Sequence, residues 1–347
     1  MNTTTEAVLR TSGVRVAKVF HATLLVPDLL EAEAWYRKVF GTVSTPSMPT
    51  ATSIASTFGM FTTIRDLMID TIDPTRLAEM LGIDLFPRTG LPHLALIGWY
   101  VDQDEIVDVY RALRAAGIRV TGEAGGVTEG DDPPVSPGTP SPGTLAGRPN
   151  FVTLASDAGL NYQFVPTSRG FCGDAKRVSH VPVDQRLEPG WSLAPVPEDD
   201  PLGIEFCAAH TVVTRDPGRV LSLLVDVLGG TVIHEGPNEP RGTASRYVHL
   251  ADAVFEVAVP DPAGAARADW ETFPPVSVEA GPSARDTYHA ITWKVADLDR
   301  AQAHLAAQGV RIHARSDDTL ITDPVTSLGV PWGFTTSPVP GDPRRPV

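Results

Sequence analysis

The feature that most constrains this chain is a fourfold recurrence: an apolar strand with a histidine near its start, a helix closed by glycine, and then short strand-like runs. The first copy reads FHATLLVPDLLEAEAWYRKVFG, with His21 in the strand, Pro27 and Asp28 at the helix start and Gly41 past its end. The third, AHTVVTRDPGRVLSLLVDVLG, runs from His210 through Asp216 and Pro217 to Gly229, and the fourth, YHAITWKVADLDRAQAHLAAQG, from His289 to Gly309. The second, PHLALIGWYVDQDEIVDVYRALRAAG, carries extra residues between His93 and Gly117, at the junction of strand and helix. Asp or Pro sets each first turn, apolar residues three to four apart give one buried face, and glycine ends the helix. A repeat of this length cannot bury its apolar face alone, so neighbouring copies must pack together.

The runs after each helix include TVSTPSM and RDLMIDTIDP in the first copy and IRVTG, NFVTLAS and LNYQFVP in the second. GTVIHEG, SRYVHLA and AVFEVAVP follow in the third, and VRIHARS, TLITD and VPWGFTT in the fourth. A chain of 347 residues exceeds the usual size of one core. The four copies therefore divide into an N-terminal domain over 17–167 and a C-terminal domain over 204–340, with a tail over 1–16 and a linker over 168–203. The segment at about 124–149, rich in Pro and Gly, reads as an insertion or mobile loop in the second copy.

The formal charge of −14 carries no basic face, which disfavours nucleic acid and anionic membrane as partners. No run approaches the roughly 20 apolar residues of a bilayer span, and the first residues lack the apolar stretch and cleavage site of a signal peptide. A cytoplasmic location is the expectation. Two cysteines, Cys172 and Cys207, make neither a disulfide framework nor a thiolate zinc cluster, so any metal must be held by His and carboxylate.

This grammar resembles the vicinal oxygen chelate superfamily, which includes glyoxalases, bleomycin-resistance proteins and extradiol dioxygenases. The resemblance implies an α+β fold of four βαβββ modules paired into two glyoxalase-like cupped, mixed-sheet domains. It also implies a divalent metal (Fe, Zn, Mn, Ni or Co) held by residues of the first and last strand of each module. First-strand positions correspond to His21, His93, His210 and His289. On the last strands, RDLMIDTIDP places Asp70, ADAVFEVAVP places Glu256 and SDAGLNYQFVP places Gln163 where Glu is usual. TDPVTSLGVPWGFTT places Gly333, which has no side chain. The N-terminal cup would then offer His21, Asp70, His93 and Gln163, and the C-terminal cup His210, Glu256 and His289 with one open corner.

Plainer readings stand beside these. A histidine in a strand is ordinarily structural, and an N-terminal cup with Asp70 and Gln163 fits a vestigial site. Asp66 and Asp73 read as solvated strand ends or turn residues, and His234, His249, His304 and His313 as surface residues or neighbours of a site. Trp35, Tyr36 and Phe40 have the spacing of a helix face packed on a sheet, while Trp332 and Phe334 would line a substrate pocket or fill the core. The implied function is a metal-dependent isomerase, epimerase or lyase acting on a small carbonyl- or hydroxyl-bearing substrate. Glu256 or Asp70 would be the base and the metal would hold the enolate. The alternatives are an Fe(II) extradiol-type ring-cleaving dioxygenase and a non-enzymatic small-molecule or antibiotic-binding protein. The chain is expected as a monomer or homodimer.

Overall fold

Helix α1 (Leu29–Phe40) begins where the Asp28 carboxylate accepts hydrogen bonds from the amides of Leu30 and Glu31. It ends at Gly41, whose φ of 65° is a left-handed conformation that a side chain disfavours. The same chemistry starts α6 (Leu298–Ala307) at Asp297. In the third repeat, α5 (Pro217–Leu221) continues through wider π-helical turns over Ser222–Val227. The computed structural model describes residues 14–48, 50–123, 125–139, 145–167, 184–188, 190–261 and 286–344. Part of the linker (168–183, with Cys172 and His180) and part of the insertion (140–144) lie outside the described residues.

Two eight-stranded sheets result. The first contains β1 (Lys18–Leu25), β2 (Ser44–Pro46), β3 (Gly59–Ile64), β4 (Leu67–Ile72), β5 (His93–Asp102), β6 (Val120–Thr121), β7 (Phe151–Thr153) and β8 (Asn161–Thr167), in the order β2-β3-β4-β1-β5-β8-β7-β6. The second contains β9 (Ile204–Val213), β10 (Thr231–Asn238), β11 (Thr243–Leu250), β12 (Ala253–Pro260), β13 (Thr287–Val295), β14 (Ile312–Arg315), β15 (Thr319–Thr322) and β16 (Gly333–Thr335), in the order β10-β11-β12-β9-β13-β16-β15-β14. Within each module the first strand runs parallel to the last. The two first strands of each sheet, β1 with β5 and β9 with β13, form an antiparallel seam. This is the α+β arrangement of paired βαβββ modules that the resemblance implied.

Several elements differ from the sequence reading. Strand β3 was not read, and Asp73 is no strand end: it caps α2 (Pro74–Leu81) by accepting from the amides of Thr75 and Arg76, with Pro74 in the first turn. Nor is Asp66 a solvated turn residue, because its Oδ1 accepts the Cys207 amide of the other sheet at 2.7 Å. The described part of the insertion folds back on itself, with Ser136 N bonded to Arg148 O at 2.9 Å and Asn150 N to Pro134 O at 3.0 Å.

One buried core runs between the two sheets. Helix α1 crosses into it, Trp35 stacking on Trp332 at 5.9 Å and Phe40 meeting Trp293, Trp332 and Phe334. His304, on α6, shares a 2.9 Å hydrogen bond with Val39 O and is an interdomain contact, not a surface residue. Trp332 and Phe334 are thus core residues and not pocket lining. Among the described residues no helix is long and apolar enough to cross a membrane.

Truncating an aromatic side chain at such a junction typically costs about 3–5 kcal/mol. Phe40→Ala should therefore lower stability by about 3 kcal/mol in urea denaturation while shifting the emission of the neighbouring tryptophans. A loss under 1 kcal/mol would contradict a shared core.

Candidate functional site

Side chains alternate between the two faces of a strand, so register decides which residues meet in each cup. In β1, Ala22 and Leu24 enter the shared core, which turns His21 and Thr23 to the opposite face. His21 pairs across the seam with Gly98, and Gly98 lies beside Gln163 on β8. A Cβ on Gly98 would come within 2.8 Å of His21 Nε2, so only glycine lets the ring lie across β5. There Nε2 donates to Gln163 Oε1 at 3.1 Å, and Nδ1 accepts from Thr23 Oγ1 at 3.1 Å; the tautomer is assigned from these partners. Gln163 Nε2 donates to Asn150 at 2.9 Å, and Asn150 donates to Glu123 at 2.7 Å and Ser136 at 3.0 Å. Burial pushes the His21 pKa down to about 3 and that of Asp70, whose Oδ1 is buried without a hydrogen-bond partner, up to about 7.

The N-terminal cup is packed shut around this chain of polar groups. Phe20, Met68, Tyr100 and Val165 meet Leu145 of the insertion and Leu187 of the linker. Arg186, paired with Asp184 at 2.6 Å, donates to the carbonyls of Phe20 and Asp66. His93 stands opposite Leu25, five residues along β5 from Gly98. At about 3.3 Å per residue that is roughly 16 Å, too far to share an ion with His21.

In the C-terminal sheet Glu256 stands beside Thr211, as Asp70 stands beside Thr23. Two residues before Thr211 comes Ala209, where His21 stands in the first sheet. His210 is one residue off that face. Its ring stacks on Phe255 at 5.1 Å and shares a 2.6 Å hydrogen bond with the Tyr288 hydroxyl, on the side of the shared core. Burial and then the charge of Arg344 push its pKa down to about 3. His289 sits in the bulge between Tyr288 and Ala290; burial, then the charges of Arg241 and His313, depress its pKa strongly.

Glu256 is 1% exposed and fully engaged. Its Oε2 accepts from Thr211 at 2.7 Å, and its Oε1 from Asn238 at 2.7 Å, Ser245 at 2.7 Å and Tyr247 at 3.3 Å. Arg241 Nε lies 3.8 Å from Oε2. Arg241 comes from the short turn Glu239–Arg241 between β10 and β11, where Asn238 Oδ1 accepts its amide at 3.3 Å. Its Nη2 donates to Thr292 Oγ1 at 3.3 Å, and a Cβ on Gly333 would lie 3.0 Å from that Nη2. The guanidinium thus fills the room left by the missing side chain at 333. Above it opens a cleft of about 640 Å³, lined by Ala209, Tyr247, Glu256, Thr292 and Thr335 among others.

The family model of the glyoxalase/bleomycin resistance protein/dioxygenase superfamily matches residues 204–327. The paired-module fold extends this likeness over both sheets. The family match thus covers most of the C-terminal sheet, and the N-terminal sheet repeats its topology. Among solved structures, the 2,3-dioxygenase LapB from Pseudomonas sp. KL28 superposes with TM-score 0.55 at 12% identity, over 96% of this chain and 97% of that one. A Mn(II)-bound glyoxalase from Novosphingobium aromaticivorans gives 0.54 at 14% identity, over 95% and 86%. A mutant 4-hydroxymandelate synthase from Streptomyces coelicolor gives 0.55 at 11%, over 92% of each. At these identities the likeness concerns the fold. No curated protein matches the chain by sequence.

The metal that the resemblance implies can be tested against the donors present. A divalent site needs several side-chain donors free to converge. In the C-terminal cup His210 is turned into the core, Gly333 offers nothing, and the Glu256 oxygens are taken by four hydrogen bonds. These residues do not fit a metal, and the expected triad of His210, Glu256 and His289 is not assembled. Nor is Glu256 placed as a free base. In the N-terminal cup His93 is excluded by distance; His21 Nε2 and Gln163 Oε1, 3.1 Å apart, have the separation of two adjacent ligands on one ion at about 2.1 Å each, provided the ring proton moves to Nδ1, where the Thr23 hydroxyl would accept it. Asp70, whose Oδ1 has no hydrogen-bond partner, stands beside Thr23 on the neighbouring strand. Among the described residues no group of three or more His, Cys, Asp or Glu side chains is gathered as for a metal. The residues missed from sequence are Arg241, Asn238 and Thr292. Arg241 lies in the turn between two strand-like runs, and only the pairing Asn-x-x-Arg-Gly at 238–242 marks it as a capped turn.

Removing one partner of a buried ion pair typically costs about 3–5 kcal/mol. Glu256→Ala should lower stability by about 3 kcal/mol in metal-free buffer containing chelator, measured by chemical denaturation. An unchanged midpoint would mean that the carboxylate is not the partner of Arg241.

Proposed function

We propose that this protein is an enzyme acting on a small carbonyl- or hydroxyl-bearing organic molecule, and that the molecule is handled in the C-terminal cup. The observation that carries this reading is Arg241, whose Nη1 has no hydrogen-bond partner although the residue is 4% exposed and lines the open cleft. A fixed, buried guanidinium stabilises charge that develops on a substrate oxygen, the task that a metal performs elsewhere in the superfamily. Glu256 holds that guanidinium in place. Chemistry of the isomerase, epimerase or lyase type, in which a carbonyl becomes an enolate, is better supported than ring cleavage by oxygen. The latter calls for a redox metal that the donors of this cup do not fit.

The test is a screen of small carbonyl and hydroxyl compounds against protein labelled at alanine and threonine methyls. Bound compounds should shift Ala208, Ala209, Thr292 and Thr335. Hits that move only methyls of the N-terminal cup, or no hits, would sink the assignment.

A second reading is supported by the pair His21 and Gln163 with the unpartnered Asp70 Oδ1: these three hold a divalent cation in the closed N-terminal cup. Such an ion would there act on protein stability and on bound oxygens as a Lewis acid. Equilibration with Mn(II), followed by metal analysis, should give at most one tightly held ion per chain. His21→Ala and Asp70→Ala should lose it and His210→Ala retain it; the reverse pattern would reject the assignment.

A further inference from the structure

The ligand of the C-terminal cup can be narrowed from the charges around it, and the narrowing rests on the cup being the working site. We propose that the cup takes a small molecule with two polar ends: a carboxylate or carbonyl oxygen on Arg241 at the floor, and a basic nitrogen at the rim against Asp317 and Asp318.

The floor calls for an acceptor. Arg241 spends Nη2 on Thr292 and sets Nε toward Glu256, while Nη1 is buried with no partner. A buried donor left unsatisfied is destabilising, and an oxygen of the ligand would remove that penalty. Carboxylate and carbonyl oxygens are the acceptors that match a guanidinium N–H.

The rim calls for a cation. Four carboxylates line the cleft, those of Glu239, Glu256, Asp317 and Asp318, against the single guanidinium of Arg241. Glu256 already balances Arg241, so the three exposed acids at the mouth are unbalanced; among the described residues no other Lys or Arg lines the cleft. Although partial burial opposes it, the hydroxyls of Ser337, Ser316 and Thr319 keep Asp318 below the usual carboxylate range. A simple anion entering past these groups is repelled, whereas a positively charged nitrogen is attracted and then held next to them.

The walls fit the connecting part of such a molecule. Pro237, Pro240, Pro338 and Pro340 line the cleft. Proline offers no amide N–H, so these four residues present apolar surface to a short carbon chain.

The experiment titrates ω-amino acids of three to six carbons, with the alkanoate and the alkylamine of each length, against the protein labelled for the arginine Nε–H and alanine methyl signals. At least one amino acid should bind ten times more tightly than its alkanoate and its alkylamine, moving the Arg241 and Ala209 signals. In the double variant Asp317→Asn and Asp318→Asn, altered only at exposed positions, the advantage over the alkanoate should fall below threefold. An alkanoate that binds as tightly as the amino acid, or an advantage unchanged in the double variant, would overturn the two-ended ligand. If no amino acid binds while other carbonyl compounds still move Ala209, the ligand class fails and the cup remains the working site; if nothing moves Ala209, both fail.

Discussion

The antiparallel seam between first strands is the constraint on which both halves of this protein depend. Pairing β1 with β5 sets His21 against Gly98, and pairing β9 with β13 sets Ala209 against Thr292. The parallel partners then add Gln163 or Gly333 on one side and Asp70 or Glu256 on the other. These few positions face each other because of register alone. What each cup can do follows from which side chains occupy them.

The two occupants have little in common. In the N-terminal cup the glycine lies on the first strand of the second module, so a histidine can reach across it and join a chain of hydrogen bonds that ends on the Glu123 carboxyl. In the C-terminal cup the glycine lies on the last strand, and the space above it is taken by a guanidinium from a turn outside the seam. One missing side chain admits an imidazole, the other an arginine. The same frame thus closes over a polar chain at one end and sets a buried Arg–Glu pair beneath an open cleft at the other.

Most of the frame was legible in the sequence. Histidine-led strands, capped helices and closing glycines gave four modules and their order, because those signals are local; the pairing of the modules into two sheets was what the resemblance implied. Register is not local. His210 stands beside an alanine that occupies the place of His21, and one residue of slip turns it from the cup into the shared core, onto Phe255 and Tyr288. The similarity between modules therefore counted four histidines as equivalent when the bulges in β1, β5 and β13 had already put them out of phase. Glu256 was legible as a buried acid, but its partner was not. Arg241 reaches it from a turn 15 residues away in sequence, and nothing in a linear reading says that a turn residue will fold inward over Gly333.

A buried arginine and glutamate are a poor choice if stability alone were at stake. Desolvating both charges consumes most of their attraction, and apolar residues of similar size commonly do as well or better. The arrangement here is more expensive still, because a third of the guanidinium's terminal groups, counting Nε, Nη1 and Nη2, remains without a partner. Four hydrogen bonds hold Glu256, and Thr292 holds Nη2, so the floor is rigid before any ligand arrives. A rigid donor left without a partner in a residue that lines the cleft favours a bound oxygen over water, which would have to be ordered there at a cost in entropy. That is the physical sense in which the cup is preorganised: the cost of burying the charge is met during folding, and the binding step has only to supply the acceptor.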